Sequence, residues 1–199
     1  MTLSRRALLS SVGTAGTIAV AGCLDFAAGE GPQGPSGEID ELSCDDDSFR
    51  RLDQRFPEDE ASYVSAYTAD DVRFELALQG AEKTYGSDLR IVLRCLDQDV
   101  DAEIASDEHI AVQRRTASGW QDVRGTPDGS EVTYPESTKV VNSGEGYTWS
   151  LTLREEAVAD TLSTADLEVC PALGAGTHRF VYWGLPGDVA IGRQFEIIG

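Results

Sequence analysis

The chain has 199 residues and carries 35 acidic side chains against 16 basic ones, a formal net charge of −19 at pH 7. This charge repels phosphates, so nucleic acid is excluded as an expected partner. The acids spread along the chain from Asp25 to Glu196, and Lys83 and Lys139 are the only lysines. We interpret this composition as adaptation to molar salt, where the screening length falls to about 3 Å and self-repulsion weakens. An acidic face for a basic partner is the alternative.

The N-terminus has the pattern of an export signal that ends in a lipidation site. Arg5 and Arg6 precede a weakly apolar stretch, residues 7–22, and Cys23 follows it directly. The stretch is shorter than the roughly 20 apolar residues that span a bilayer. A basic start, a short apolar region and small residues before a cysteine predict a twin-arginine signal peptide over residues 1–22, with lipid on Cys23. The expected location is the extracellular face of the cell membrane.

Two further segments precede the main domain. Residues 23–43 contain the lipidated cysteine and are rich in glycine and proline, which predicts a flexible linker. Residues 44–71 are expected to pack on the domain. Within them, Phe49, Leu52 and Phe56 have near-helical spacing, which predicts a short helix or an irregular segment.

From residue 72 to residue 199 the pattern is that of β-strands. Seven short segments alternate apolar and polar side chains and are separated by turn-rich loops, which predicts an all-β domain. One helical or irregular excursion is expected over residues 155–167. In chain order, the apolar positions of the seven segments are Val72, Phe74, Leu76 and Leu78; Leu89, Ile91, Leu93 and Cys95; Ile110 and Val112; Trp120 and Val123; Tyr147, Trp149, Leu151 and Leu153; Phe180 and Tyr182; and Ile191, Phe195 and Ile197.

Four stretches of this domain resemble bacterial and archaeal immunoglobulin-like domains. They are residues 89–94, 110–123, 146–153 and a glycine-containing turn into a strand over residues 173–184, where His178 stands at a position commonly occupied by tyrosine. The resemblance implies an immunoglobulin-like antiparallel β-sandwich of about seven strands and supplies no catalytic residues. More narrowly, the chain resembles haloarchaeal lipoproteins exported by the twin-arginine route.

The cysteines other than Cys23 allow at most one internal disulfide. Cys95 continues the apolar face of its strand, where a free cysteine behaves as a small apolar residue. Cys44 and Cys170 lie in loop-like segments of a chain expected outside the cytoplasm, where disulfides persist. We therefore favour a bridge between Cys44 and Cys170, with Cys95–Cys170 as the alternative.

One acidic run matches the spacing of a calcium-binding loop. Its acids fall at positions 1, 3, 5, 7 and 12 of the twelve-residue template. Ala102 stands at position 6, where the template needs glycine, and the flanking segments are predicted strands. We interpret the run mainly as a solvated loop, with calcium binding as the alternative. The five acids are Asp97, Asp99, Asp101, Glu103 and Glu108.

The function that we expect is non-catalytic binding of an envelope protein or a glycan, without a cofactor. His109 and His178 lie in separate strands, and the sequence has no zinc-protease motif, nucleophile elbow or phosphate-binding glycine loop. Trp120, Trp149 and Trp183 are the candidates for aromatic contact, with about two of the three expected in the core. One alternative is an accessory or inhibitor-like subunit of a secreted enzyme or transporter that acts through residues 125–140. The remote alternative is an extracellular hydrolase built on paired carboxylates.

Overall fold

The computed structural model of the chain describes residues 31–80 and 82–199. Within these residues the regular structure is almost entirely β, which confirms the predicted all-β class. One α-helix, α1 (Glu155–Ala159), and two 3-10 turns (Glu58–Glu60 and Pro186–Asp188) accompany the strands. The strands are β1 (Arg50–Arg51), β2 (Ala61–Ser62), β3 (Ala66–Ala69), β4 (Val72–Leu78), β5 (Glu82–Thr84), β6 (Asp88–Cys95), β7 (Ala102–Ala105), β8 (Ile110–Thr116), β9 (Gly119–Asp122), β10 (Arg124–Thr126), β11 (Thr138–Val141), β12 (Gly146–Thr152), β13 (Glu168–Val169), β14 (Gly176–Tyr182) and β15 (Ala190–Ile198).

A four-stranded antiparallel sheet contains three of the segments predicted from alternation. Its order is β12-β6-β4-β3. In β4, Val72, Phe74 and Leu76 are buried. Arg73, between Val72 and Phe74, is exposed, as the two-residue period of a strand requires. Leu76 lies opposite Leu93 of β6. Because a shift of one residue would turn these side chains to solvent, the apolar pattern fixes the register.

The other four predicted segments lie in a second sheet of order β2-β15-β14-β8-β9. Here β14 pairs in the antiparallel sense with both β15 and β8, whereas β2 and β5 add to β15 in the parallel sense. Smaller sheets join β1, β10 and β13, and β7 with β11. The strands β7, β10 and β11 were not predicted, and β10 and β11 shorten the expected loop over residues 125–140.

The inner faces of the two large sheets form one hydrophobic core. Leu76 and Ile91 from the first sheet and Val112, Phe180 and Ile191 from the second belong to the same buried cluster. Apolar area removed from water by both sheets is the main favourable term for folding. The free thiol of Cys95 is part of this core, as its strand phase predicted.

Part of the predicted linker is bound to the domain. The Gly34 amide donates to the carbonyl of Leu173 at 3.0 Å, and the carbonyls of Ile39 and Asp40 accept from the amides of the β8–β9 turn. These backbone bonds fix residues 34–40 along the second sheet. The expected linker over residues 23–43 therefore includes a stretch, residues 34–40, that is bound to the domain.

Within the predicted N-terminal segment, residues 56–63 pack on the outer face of the second sheet around a buried arginine, whereas β3 pairs with β4 in the first sheet. Arg179 of β14 is fully buried, and its guanidinium makes two hydrogen bonds to the Glu58 carboxylate, at 2.7 and 2.8 Å. The same guanidinium bonds Gln113 and stacks 4.4 Å from the centroid of Trp120. A planar, delocalised cation suits both contacts at once. Of the two expectations for the stretch around Phe49, Leu52 and Phe56, the structure shows the irregular one, with the short strand β1 and the turn Glu58–Glu60 in place of a helix.

Candidate functional site

An acidic cleft at one edge of the two packed sheets is the best candidate for a ligand site. It has a volume of about 260 Å³ and lies where β12, the turn before β8 and the loop after α1 meet. Clefts that combine an aromatic wall with a few polar groups are the usual form of a small-ligand site. Its lining consists of Trp149, Ile110, Asp107, Glu108, Asp160, Thr161 and Ser163, and we call it the Trp149 cleft.

Trp149 lies between the sheets and leaves part of its indole exposed. It pairs with Ile91 in the register of β12 and β6, which directs it toward the core. Its Nε1 donates to the carbonyl of Asp107 at 2.9 Å, and its ring centroid lies 5.0 Å from that of Phe180. The half-buried indole is therefore held in one orientation and presents a rigid apolar surface at the mouth of the core.

The wall behind Trp149 is fixed by two tyrosines that share one acceptor. The hydroxyls of Tyr147 and Tyr182 donate to the carbonyl of Ala105 at 3.0 and 2.6 Å. Burial raises the pKa of both tyrosines, so both remain neutral donors at physiological pH. The bonds tie β7 to the core, which makes the aromatic wall of the cleft stiff.

The opposite wall is a loop anchored by Glu108. Its carboxylate accepts from the amide and the hydroxyl of Ser163, at 2.9 and 2.7 Å. Thr161 in the same loop accepts from Arg124, which is fully buried and pairs with Asp122 at 2.8 Å. These contacts engage both oxygens of Glu108 in holding the loop.

Two carboxylates of the cleft remain accessible to a ligand. Asp107 and Asp160 line the cleft and are themselves exposed to solvent. Carboxylate oxygens accept hydrogen bonds from hydroxyl and ammonium groups. Together with Glu108 they give the cleft a negative potential, which disfavours phosphate and other anionic ligands.

The five acids of the predicted calcium loop are not brought together. Asp97 accepts from the amide of Arg73 at 2.7 Å, Glu103 accepts from the hydroxyl of Thr138, and Glu108 is bound to Ser163. Over residues 31–80 and 82–199, no group of three or more histidine, cysteine or acidic side chains is placed to hold a metal ion. β7 begins at Ala102 and interrupts the run, so that Glu103 belongs to a strand while Asp97, Asp99 and Asp101 precede it and Glu108 follows it.

The structure joins Cys44 to Cys170, the pairing favoured from the sequence, with the Cα atoms 5.7 Å apart. The bridge connects the N-terminal segment to the chain just before β14. Cys23, Arg5 and Arg6 lie outside the described residues. Within the part of the chain that the structure describes, no helix has the length and apolar character needed to cross a membrane.

The positions of the tryptophans differ from expectation. Trp120, Trp149 and Trp183 are all half-buried, so the expected burial of about two of them is wrong. His109 stands at the start of β8 and contacts Trp183 with a ring separation of 4.3 Å. His178 is buried within β14.

The strand predictions did not identify the buried polar side chains of the second sheet, among them Arg114 and Arg179. The alternation contained a usable signal, because Arg114 has the phase of Ile110 and Val112 and His178 has the phase of Phe180. A charged residue in an inward phase marks a buried polar site. Trp149 lies at the edge of the core because of loops that are distant in sequence. The sequence around Trp149 therefore has no pattern that predicts this position.

Comparisons with known proteins give little information on function. No protein-family model and no curated protein matches the chain. One matching solved structure is a β-glucosidase from Listeria innocua in complex with isofagomine, with 19% sequence identity and a TM-score of 0.33. The match covers 64% of this chain and 16% of that chain. The chain spans about one sixth of the length of that solved chain.

Proposed function

We propose that the chain is an extracellular lipoprotein, anchored by lipid on Cys23, whose β-domain binds a neutral glycan in the Trp149 cleft without catalysis. The observation that carries the binding proposal is the rigid, partly exposed indole beside free carboxylates at the edge of the core. Sugar rings offer C–H faces to an indole and hydroxyl donors to Asp107 and Asp160. The arrangement provides partners for both kinds of surface.

The tether in this proposal is short. Residues 24–33 separate Cys23 from Gly34, whose amide is bonded to Leu173. At no more than about 3.5 Å per residue, such a stretch reaches at most about 35 Å. The end of the domain near Gly34 would then stay close to the bilayer, which suits a partner in the inner envelope more than one far from the cell.

We further propose that the two packed sheets form an immunoglobulin-like sandwich. Support comes from the antiparallel pairing of the long strands and from one core shared by both sheets. The parallel additions of β2 and β5 to β15 are extensions at the edge of that arrangement. An experimental structure in molar KCl that lacked the connection order of this class would overturn this assignment.

The binding proposal is tested by screening the lipid-free domain against an array of neutral and anionic oligosaccharides in molar KCl. We expect retention of neutral glycans and weakening by about tenfold in Trp149→Ala, roughly 1.4 kcal/mol. Trp120→Phe is the matched control, because Trp120 stacks on Arg179 at the outer face of the other sheet. Its binding is expected to equal that of the native domain.

Three outcomes contradict the proposal. They are binding to no neutral glycan, equal binding by Trp149→Ala, and recovery of a protein partner that Trp149→Ala does not disturb. Release of cleaved sugar by the native domain would contradict the non-catalytic part. Trp149→Phe keeps a ring against Phe180, so it tests the indole without removing the packing.

A further inference from the structure

The outer face of the first sheet is open to solvent and carries three arginines. Arg90 and Arg94 of β6 and Arg73 of β4 are exposed, whereas the strand neighbours of each one are buried. The alternation of a strand therefore directs these side chains away from the core. The outer face of the second sheet is covered by residues 56–63. We call the surface defined by Arg73, Arg90 and Arg94 the arginine face.

The guanidinium groups of the arginine face have no acceptor within residues 31–80 and 82–199. The ion pairs formed there involve Arg50, Arg124 and Arg179 and none of the three arginines of this face. The hydrogen bond of Arg73 to Asp97 uses the backbone amide of Arg73 and leaves its guanidinium free. Exposed donors without a partner are available to the acceptors of a ligand.

Few carboxylates lie near these cations. Glu75 lies opposite Arg94 in the register of β4 and β6, and Asp88 is the first residue of β6. Asp97 and Glu145 lie at the border of the face, where their segments bond to β4 and β6.

The two lysines of the chain lie at the edge of the same sheet. The Nζ of Lys83 donates to the carbonyl of Asp88 at 3.1 Å, and the Nζ of Lys139 donates to the carbonyl of Gly146 at 3.0 Å. The arginine face and its edge therefore have more cations than acids, in a chain where acids outnumber bases by 35 to 16. An anionic group is attracted here at contact distance.

The cations are widely spaced, with hydroxyl and small side chains between them. Arg90 and Arg94 are about 13 Å apart along β6, at about 3.3 Å per residue. Val92 lies between them and pairs with Thr148 of β12, and Ser150 pairs with Arg90. Phosphates follow one another about every 3.4 Å along a nucleic acid strand, so most of them would face uncharged groups here. A ligand with sparse charges and many hydroxyls fits this spacing better.

The size and composition of the arginine face disfavour a folded protein and a membrane as its partner. Strands about 4.8 Å apart in a four-stranded sheet, with lengths up to that of β6, give a flat area of about 500 Å². A standard protein–protein interface needs about 800 Å² on each partner. Among the described residues, the large exposed apolar side chains are Val64, Val140 and Ile198, and none of them belongs to this sheet. The face therefore has no apolar group to insert into a bilayer.

We propose that the arginine face binds a linear polysaccharide with sparse carboxylates, a chain that alternates neutral sugars with uronic acids. Its carboxylates pair with the three guanidinium groups in charge-assisted hydrogen bonds. The sugar hydroxyls between them bond Thr148 and Ser150, which are exposed on β12. The planar fork of arginine gives directional bonds at contact, which persist when molar salt reduces the screening length to about 3 Å.

The same screening limits repulsion of this ligand by acids elsewhere on the surface. The proposal does not depend on the neutral glycan proposed for the Trp149 cleft. Trp149 belongs to β12 but has the opposite phase to Thr148 and Ser150, so the two ligands would lie on opposite sides of the sheet.

Isothermal titration in molar KCl tests this proposal with two matched probes and the mature protein made without lipid by Cys23→Ser. One probe is a hyaluronan hexasaccharide, which alternates N-acetylglucosamine with glucuronate. The other is its carboxyl-reduced derivative, which has the same sugars without the charges. We expect hyaluronan to bind about tenfold more tightly than the reduced probe, because several exposed ion pairs add together although each is weak.

Paired variants locate the binding surface. Arg90→Gln with Arg94→Gln should lower hyaluronan binding to the level of the reduced probe. The matched control, Arg50→Gln with Arg115→Gln, removes the same charge from exposed arginines of β1 and β8 and should leave binding unchanged. Trp149→Ala should also leave it unchanged, so failure of this proposal and failure of the glycan proposal are distinguishable.

Several outcomes overturn the proposal. They are no binding of hyaluronan, equal binding of the two probes, equal losses in the two arginine pairs, and loss of hyaluronan binding in Trp149→Ala. Tighter binding of polyglutamate, of single-stranded DNA or of vesicles with anionic lipid than of hyaluronan overturns the choice of a polysaccharide. The arginine variants change only exposed side chains, and the comparison of probes on the native surface needs no variant of the face.

Discussion

Acidification is expected to destabilise the fold through His178, whose side chain is 1% exposed within β14. Burial lowers the pKa of His178 from 6.5 to about 4. The Gly176 carbonyl bonded to Nδ1 opposes that lowering, and the Arg114 guanidinium on the neighbouring strand adds to it. The imidazole of His178 stacks on the ring of Phe195, with the ring centroids 5.6 Å apart, and this contact keeps it in an apolar environment.

The direction of the effect follows from proton linkage. The unfolded chain binds a proton at His178 near pH 6.5, whereas the folded chain binds it only near pH 4. Stability due to neutral His178 is therefore complete above pH 6.5 and is lost as the pH falls toward 4. The gap between pKa values of 6.5 and about 4, at 1.36 kcal/mol per pH unit, gives a loss of about 3 kcal/mol.

Urea unfolding followed by tryptophan fluorescence in molar KCl measures this loss. His178→Gln keeps a polar side chain but cannot be protonated, and the titration of the many carboxylates is common to both proteins. We expect the free energy of unfolding of the native protein to fall by about 3 kcal/mol relative to His178→Gln between pH 7 and pH 4. Two pH profiles that run parallel would refute the assignment of a buried, neutral His178.

Three further predictions concern stability. Transfer of the domain from molar KCl to low salt should abolish its folded circular dichroism spectrum, because the screening length grows and the acids repel one another. An unchanged spectrum would contradict the salt-adaptation hypothesis. Glu58→Gln should lower the free energy of unfolding by about 2 kcal/mol, because it leaves the buried Arg179 without a carboxylate. Urea unfolding measures this free energy, and a loss below about 0.5 kcal/mol would contradict the contact between Glu58 and Arg179. Reduction of Cys44–Cys170 should cost about 2–5 kcal/mol by freeing a long loop in the unfolded chain; mass mapping of non-reduced peptides would contradict the bridge if it found Cys95 in the pair.

The long strands were predictable because each depends on its own alternation. β4 and β6 carry four apolar residues each at a period of two, and that local pattern alone decides which side is buried. The near-helical spacing of Phe49, Leu52 and Phe56 left a helix and an irregular segment both open, and tertiary contacts decide for the irregular one. Glu58 is held by Arg179, which lies 121 residues away in the chain.

The candidate sites were harder to predict because they are made by segments far apart in sequence. Trp149 belongs to a predicted strand, but its cleft needs Asp107 and Asp160 from two loops whose positions the sequence pattern does not specify. The acidic run left a solvated loop and a calcium loop both open because spacing alone does not show where a strand begins. With β7 starting at Ala102, regularly spaced acids end in different hydrogen bonds.

The central claim is that lipid on Cys23 holds a binding domain at the membrane. Mass spectrometry of the N-terminal peptide from membranes, with Cys23→Ser as the comparison, tests it most directly. We expect a mature chain that begins at a lipid-modified Cys23 in the membrane fraction, and release of the Cys23→Ser protein from membranes. A native chain that retains residues 1–22, or a Cys23→Ser protein that stays equally membrane-bound, would contradict it.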